Sequence, residues 1–72
     1  MNTRECVFVQ VNGEKQELLV GTTVGQLLEQ LGLNPARVAI EYNLTILPKG
    51  KWELTRLAAG DKLEIVQFVG GG

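Results

Sequence analysis

The sequence predicts an α+β domain, a mixed β-sheet wrapped around one main α-helix. Three observations carry this. Apolar residues alternate at period two over 6–11, 37–43 and 62–69, as in half-buried strands. The stretch 22–32 changes to helical spacing. The order is hairpin, helix, strands, and one apolar helix stripe needs one sheet face to cover.

The first element is "CVFVQV" (6–11), with Val7, Val9 and Val11 on one face and Cys6, Phe8 and Gln10 on the other. Asn12-Gly13 follows, and both residues tolerate the positive φ of a tight hairpin turn. "KQELLV" (15–20) is the return strand. In "TTVGQLLEQLG" (22–32), Thr23 serves as N-cap and Gln26 completes a capping box. Val24, Leu27, Leu28 and Leu31 form the stripe, and Gly32 suits a left-handed end. Gly25 weakens this helix by about 1 kcal/mol relative to alanine. Asn34-Pro35 prevents its continuation.

"RVAIEYN" (37–43) is the third strand. "TILP" (45–48) is a short edge piece closed by a proline, and "KGKWEL" (49–54) is a loop or single helical turn. Gly60-Asp61 makes a turn into "KLEIVQFV" (62–69), where Leu63, Ile65 and Gln67 oppose Glu64, Val66 and Phe68. The first and last strands then lie side by side at the sheet centre. The expected core is the helix stripe with Val7, Val9, Val11, Leu18, Val20, Val38 and Ile40. The domain spans 1–69, and 70–72 is a flexible glycine tail.

Composition narrows the function. A chain of 72 residues makes one domain with a thin core. It is 44% hydrophobic with net charge −1, typical of a globular protein. Acids and bases are mixed and no basic cluster exists, which argues against nucleic acid as a partner. Apolar runs are too short for a bilayer, and "MNTRECVF" lacks a signal-peptide core, so the expectation is a cytoplasmic protein without membrane contact. Without histidine the commonest general base and metal ligand is missing, and a single cysteine offers no zinc pair. Neither a resident metal nor autonomous catalysis is expected.

The end, "QFVGGG" (67–72), has two readings. It is a frayed terminus, or it is an end built to carry a carboxylate into a space too narrow for side chains, which glycine permits. Phe8, Leu19, Val66 and Phe68 fall opposite the expected core, and an exposed apolar patch there marks partner docking. Cys6 reads as a small strand residue and Trp52 as packing under the 44–54 loop. Lys49, Lys51 and Arg56 read as solvated loop charges. Glu41 and Glu64 read as solubilising charges, with nothing in the sequence requiring them to meet.

Several segments together resemble the ubiquitin-like β-grasp superfamily, and within it the thiamin-biosynthesis sulfur carrier family, ThiS. They are "VNGE", "TTVGQLLEQLGL", "VAIEYN" with "ILPKGKW", and above all "AAGDKLEIVQFVGGG". The resemblance implies a protein co-substrate rather than an enzyme. An E1-like adenylyltransferase would use ATP to adenylate the carboxylate of Gly72, with Gly71 and, more weakly, Gly70 recognised in the tail. A sulfur donor such as a cysteine desulfurase would supply the thiocarboxylate, and thiazole synthase would consume it. The carrier itself would bind no cofactor. The alternatives are a molybdopterin synthase small subunit, whose approach to the diglycine tends to contain proline, a ubiquitin-like protein modifier, and a plain β-grasp binding module.

Overall fold

A computed structural model describes residues 5–68. Its strands are β1 (Cys6–Val11), β2 (Glu14–Leu19), β3 (Val38–Tyr42), β4 (Thr45–Ile46) and β5 (Lys62–Gln67), with one helix, α1 (Val24–Leu31). They form one mixed sheet in the order β2-β1-β5-β3-β4, with β1 and β5 parallel and central. The other pairings are antiparallel. This is the expected architecture, with β4 at an edge.

Local chemistry sets the turns. Asn12 (φ 50°) and Gly13 (φ 83°) both take positive φ, so β1 and β2 pair from Val11↔Glu14 to Cys6↔Leu19. The capping box is present. Thr23 Oγ1 accepts from the Gln26 N–H at 3.1 Å, and the Thr23 N–H donates to Gln26 Oε1 at 3.0 Å. At the other end Gly32 is left-handed, and the Leu33 N–H donates to the Leu28 carbonyl at 3.0 Å. That bond belongs to a Schellman reversal.

The core lies between α1 and the inner sheet face. Val9, Val11, Leu18, Val24, Leu27, Leu28, Val38, Ile40, Leu63 and Ile65 are buried, and Trp52 and Leu57 close one end. Each fully buried leucine contributes about 1.5–3 kcal/mol. Of the expected core residues, Val7 is only partly buried against the cluster, and two are exposed. Val20 is 56% exposed, because it lies past the end of β2, where Gly21 (φ 94°) turns the chain towards the helix. Leu31 is 36% exposed, because the reversal at Gly32 folds Leu33 back onto the core instead.

The 52–57 segment is stitched to the start of α1. The Val24 and Gly25 N–H groups, unpaired within the helix, donate to the Thr55 and Trp52 carbonyls at 3.0 and 3.1 Å. Trp52 Nε1 donates to the Leu47 carbonyl at 3.0 Å. The indole is therefore a packing residue with its polar edge satisfied.

Candidate functional site

The outer sheet face, away from the helix, holds the residues that the sequence singled out for docking. Phe8 (49%), Leu19 (44%), Val66 (57%) and Phe68 (57%) are all exposed there. They do not form one patch. In the parallel pairing Gln10 lies beside Lys62. Phe8 is two residues before Gln10, and Val66 is four residues after Lys62. At about 3.3 Å per residue, this stagger separates Phe8 from Val66 by roughly 20 Å along the strands. Leu19 pairs with Cys6, farther still from Val66. The structure thus brings Phe8 near Leu19, and Val66 near Phe68, as two groups.

Between them lies a charged zone. Lys15 and Lys62 flank Gln10 across the sheet. Phe8, Gln10, Lys15, Gly60 and Lys62 line an open groove of ≈ 290 Å³, with the Lys15 ammonium 4.9 Å from the Phe8 ring centroid. One step nearer the tail, Glu41 and Glu64 are direct cross-strand partners, with Ile46 beyond Glu41. The expectation that nothing requires these acids to meet is corrected here, because the β3–β5 register sets them opposite one another. Like charges in that position are mildly destabilising.

Residues at the strand ends hold this face in register. Asn12, just past the end of β1, ties its side chain to the middle of β5, accepting from the Ile65 N–H at 2.7 Å and donating to the Ile65 carbonyl at 3.2 Å. Asp61 anchors the start of β5. Its Oδ2 accepts from the Tyr42 hydroxyl at 2.6 Å and the Ala58 N–H at 2.8 Å, and its Oδ1 accepts from Asn43 Nδ2 at 3.2 Å. Burial by itself would raise the Asp61 carboxyl. The hydrogen bonds from Tyr42, Ala58 and Asn43 outweigh it and hold the group below the ordinary carboxylate range. The hydrogen bond to Asp61, followed by burial and the carboxylate charge, pushes the Tyr42 hydroxyl up to about 12. The sequence marked Gly60-Asp61 only as a turn. The signal available was an aspartate directly before a strand, a residue that commonly binds nearby backbone N–H groups.

Cys6 is an exposed free thiol on the same face. Desolvation, then the neighbouring Glu17 carboxylate, pushes its pKa up, away from the reactive thiolate. Lys49, Lys51 and Arg56 are exposed, and the Lys49 ammonium lies 5.7 Å from the Trp52 ring centroid. Among the described residues no group of His, Cys, Asp and Glu could hold a metal ion, and no helix is long and apolar enough to cross a membrane. Gly70, Gly71 and Gly72, and the expected domain boundary at 69, lie outside the described residues.

Comparison with known proteins completes the picture. The ThiS family model matches residues 9–72. The chain belongs to the ThiS family. It is 33% identical over 61 residues to the sulfur carrier protein ThiS of Escherichia coli, covering 85% of this chain and 92% of that one. A crystal structure of the thiamine biosynthesis protein ThiS from Geobacter metallireducens superposes with a TM-score of 0.78 at 28% identity, covering 92% of this chain and all of that one. The ThiS-like β-grasp fold is therefore common to both. A thiazole synthase of Paramagnetospirillum magneticum is 45% identical over 62 residues, 86% of this chain and 19% of that protein. The chain spans about a fifth of the length of the thiazole synthases that it matches.

Proposed function

We propose that this ThiS-family chain carries sulfur as a thiocarboxylate on Gly72 for thiazole synthesis in thiamin biosynthesis. The observation that carries the reading is the family match, which runs from the first strand through the final Gly-Gly. The link to thiazole synthase is supported by its matches to segments of longer chains bearing that name.

The chemistry follows from what a carboxylate lacks. It is a poor acyl donor. A carboxylate oxygen attacks the α-phosphorus of ATP, pyrophosphate leaves, and the product is an acyl-adenylate. A sulfur nucleophile then attacks the acyl carbon and AMP leaves. Sulfide gives the thiocarboxylate directly, whereas a persulfide gives an acyl disulfide. A second thiol reduces its S–S bond, freeing the thiocarboxylate and leaving the two thiols as a disulfide. An E1-like adenylyltransferase supplies the nucleotide site, and a donor such as a cysteine desulfurase supplies the sulfur. This chain contributes the end, its reach and a recognisable body. Three extended residues span at most about 10 Å.

The strand stagger refines the docking surface. Val66 and Phe68 precede the tail on the same chain segment, so a partner engaging the tail meets them first. Phe8 and Leu19, roughly 20 Å away along the strands, form a separate contact. The test is ATP–pyrophosphate exchange with the cognate E1-like enzyme. Gly71→Ala should slow exchange on the order of 10²-fold, since misplacing a reacting group by about 1 Å costs that much. Its Tm should match wild type. Deleting Gly72 should be worse and Gly70→Ala milder. Phe68→Asp should weaken adenylation more than Phe8→Asp. Equal exchange for wild type, Gly71→Ala and the Gly72 deletion would end the proposal.

A further inference from the structure

Among the described residues β2 is a sheet edge, and its outer side has a self-complementary pattern. The Val20 N–H donates to the Glu5 carbonyl, so Val20 and Glu5 are a hydrogen-bonded pair. Antiparallel pairs alternate between bonded and non-bonded. With the register Val7↔Leu18, Val9↔Gln16 and Val11↔Glu14, the even-numbered residues of β2 turn their backbone groups to β1. Lys15, Glu17 and Leu19 therefore turn theirs outward, away from β1. Their side chains lie on the exposed outer face of the sheet.

We propose that two copies of the chain join edge to edge through β2, antiparallel, with Gln16 opposite Gln16 of the second copy. In this register Lys15 faces Glu17 of the other copy, and Glu17 faces its Lys15. Both are bonded pairs, so the outward backbone groups meet outward backbone groups. Both place opposite charges on one face, which favours the pairing. Neighbouring registers with the same backbone parity do worse. Shifting one way puts Lys15 opposite Lys15. Shifting the other way puts Glu17 opposite Glu17. The symmetry axis is perpendicular to the sheet, so the two sheets become one, with both helices on one side and both outer faces on the other. Such a dimer offers two carrier faces to a partner that is itself two-fold symmetric.

One strand edge is smaller than the ~1,200 Å² of a standard interface, so the dimer is weak, with a dissociation constant of about 10 μM to 1 mM. Sedimentation velocity of the full chain across that range tests it. Wild type should shift from monomer to dimer. Lys15→Glu and Glu17→Lys alter exposed side chains and should each fold and stay monomeric, because each makes both pairs like-charged. Mixed together they should form a heterodimer, since each copy then faces the opposite sign. Hydrogen exchange should slow with concentration at the Lys15 and Glu17 amides. A wild type that is still monomeric at about 1 mM, or a mixture that fails to pair, overturns the proposal. So does dimerisation of either variant at wild-type affinity, or slowing of those amides only when a different protein is added.

Discussion

Replacing Asp61 by alanine removes the acceptor that ties β3, the 58–60 turn and β5 together. Three donors lose it: the Tyr42 hydroxyl, the Ala58 N–H and Asn43 Nδ2. A hydrogen bond to a charged group contributes about 1.5–3 kcal/mol, but Asn43 is exposed and its bond is the longest, so it counts for little. The lost Tyr42 and Ala58 bonds carry the cost, and water re-solvates part of what these donors lose, leaving a net cost of about 3 kcal/mol. A 72-residue domain has about 4–10 kcal/mol in total. The expected fall in Tm is about 12–24 °C. Tyr42→Phe should cost about 1–2 kcal/mol, and the double variant should cost less than the two combined, because they share a bond. The pH dependence has a definite sign. Asp61 titrates lower in the folded state, so its contribution is present above the unfolded carboxylate pKa and is lost as pH falls through the folded value. Tyr42 titrates higher when folded, so its contribution is present below about 10 and is lost as pH rises through about 12. Urea unfolding followed by circular dichroism, repeated across pH, measures all of this. An Asp61→Ala variant within about 0.5 kcal/mol of wild type, with an unchanged acid limb, would refute the reasoning.

Further substitutions probe other joints of the fold. Gly25→Ala should stabilise by up to about 1 kcal/mol by helix propensity, because the atoms nearest the new methyl are those of the carboxylate of the exposed Glu53, which can swing aside. A thermal melt showing destabilisation would mean that Glu53 is fixed there. Asn12→Ala should cost about 2 kcal/mol, combining lost bonds to Ile65 with strain at φ 50°, whereas Asn12→Gly should recover roughly half by relieving the strain. Equal losses in denaturant unfolding would place the whole cost in the hydrogen bonds. Glu41→Lys should raise stability by about 0.5 kcal/mol by turning a like-charge pair into an opposite one, and an unchanged Cm would discount that repulsion.

What was legible in the sequence was whatever depended on local pattern. The first strand, its Asn-Gly turn, the capping box and the left-handed Gly32 follow from neighbouring residues and stand as expected. The adjacency of first and last strands followed from covering one helix with one sheet. What escaped depends on distant registers. Leu57 enters the core from a segment without periodicity, held by its N–H to the Thr22 carbonyl at 2.8 Å. Glu41 meets Glu64 only because β3 and β5 pair in one register. Alternation placed Phe8, Leu19, Val66 and Phe68 on the outer face, but the stagger of two parallel strands, which splits them, is not written in either strand. The side chains of Asn12 and Asp61 act over long separations, where local turn chemistry is silent.

The most direct measurement is the intact mass of the chain after incubation with its E1-like enzyme, ATP and a sulfur donor, followed by fragmentation of the C-terminal peptide. The account predicts a gain equal to exchange of one oxygen for sulfur, located at Gly72 and absent from a Gly72 deletion. Sulfur found on Cys6 instead, or a tail unchanged when the complete enzyme set is active on another carrier, would contradict it.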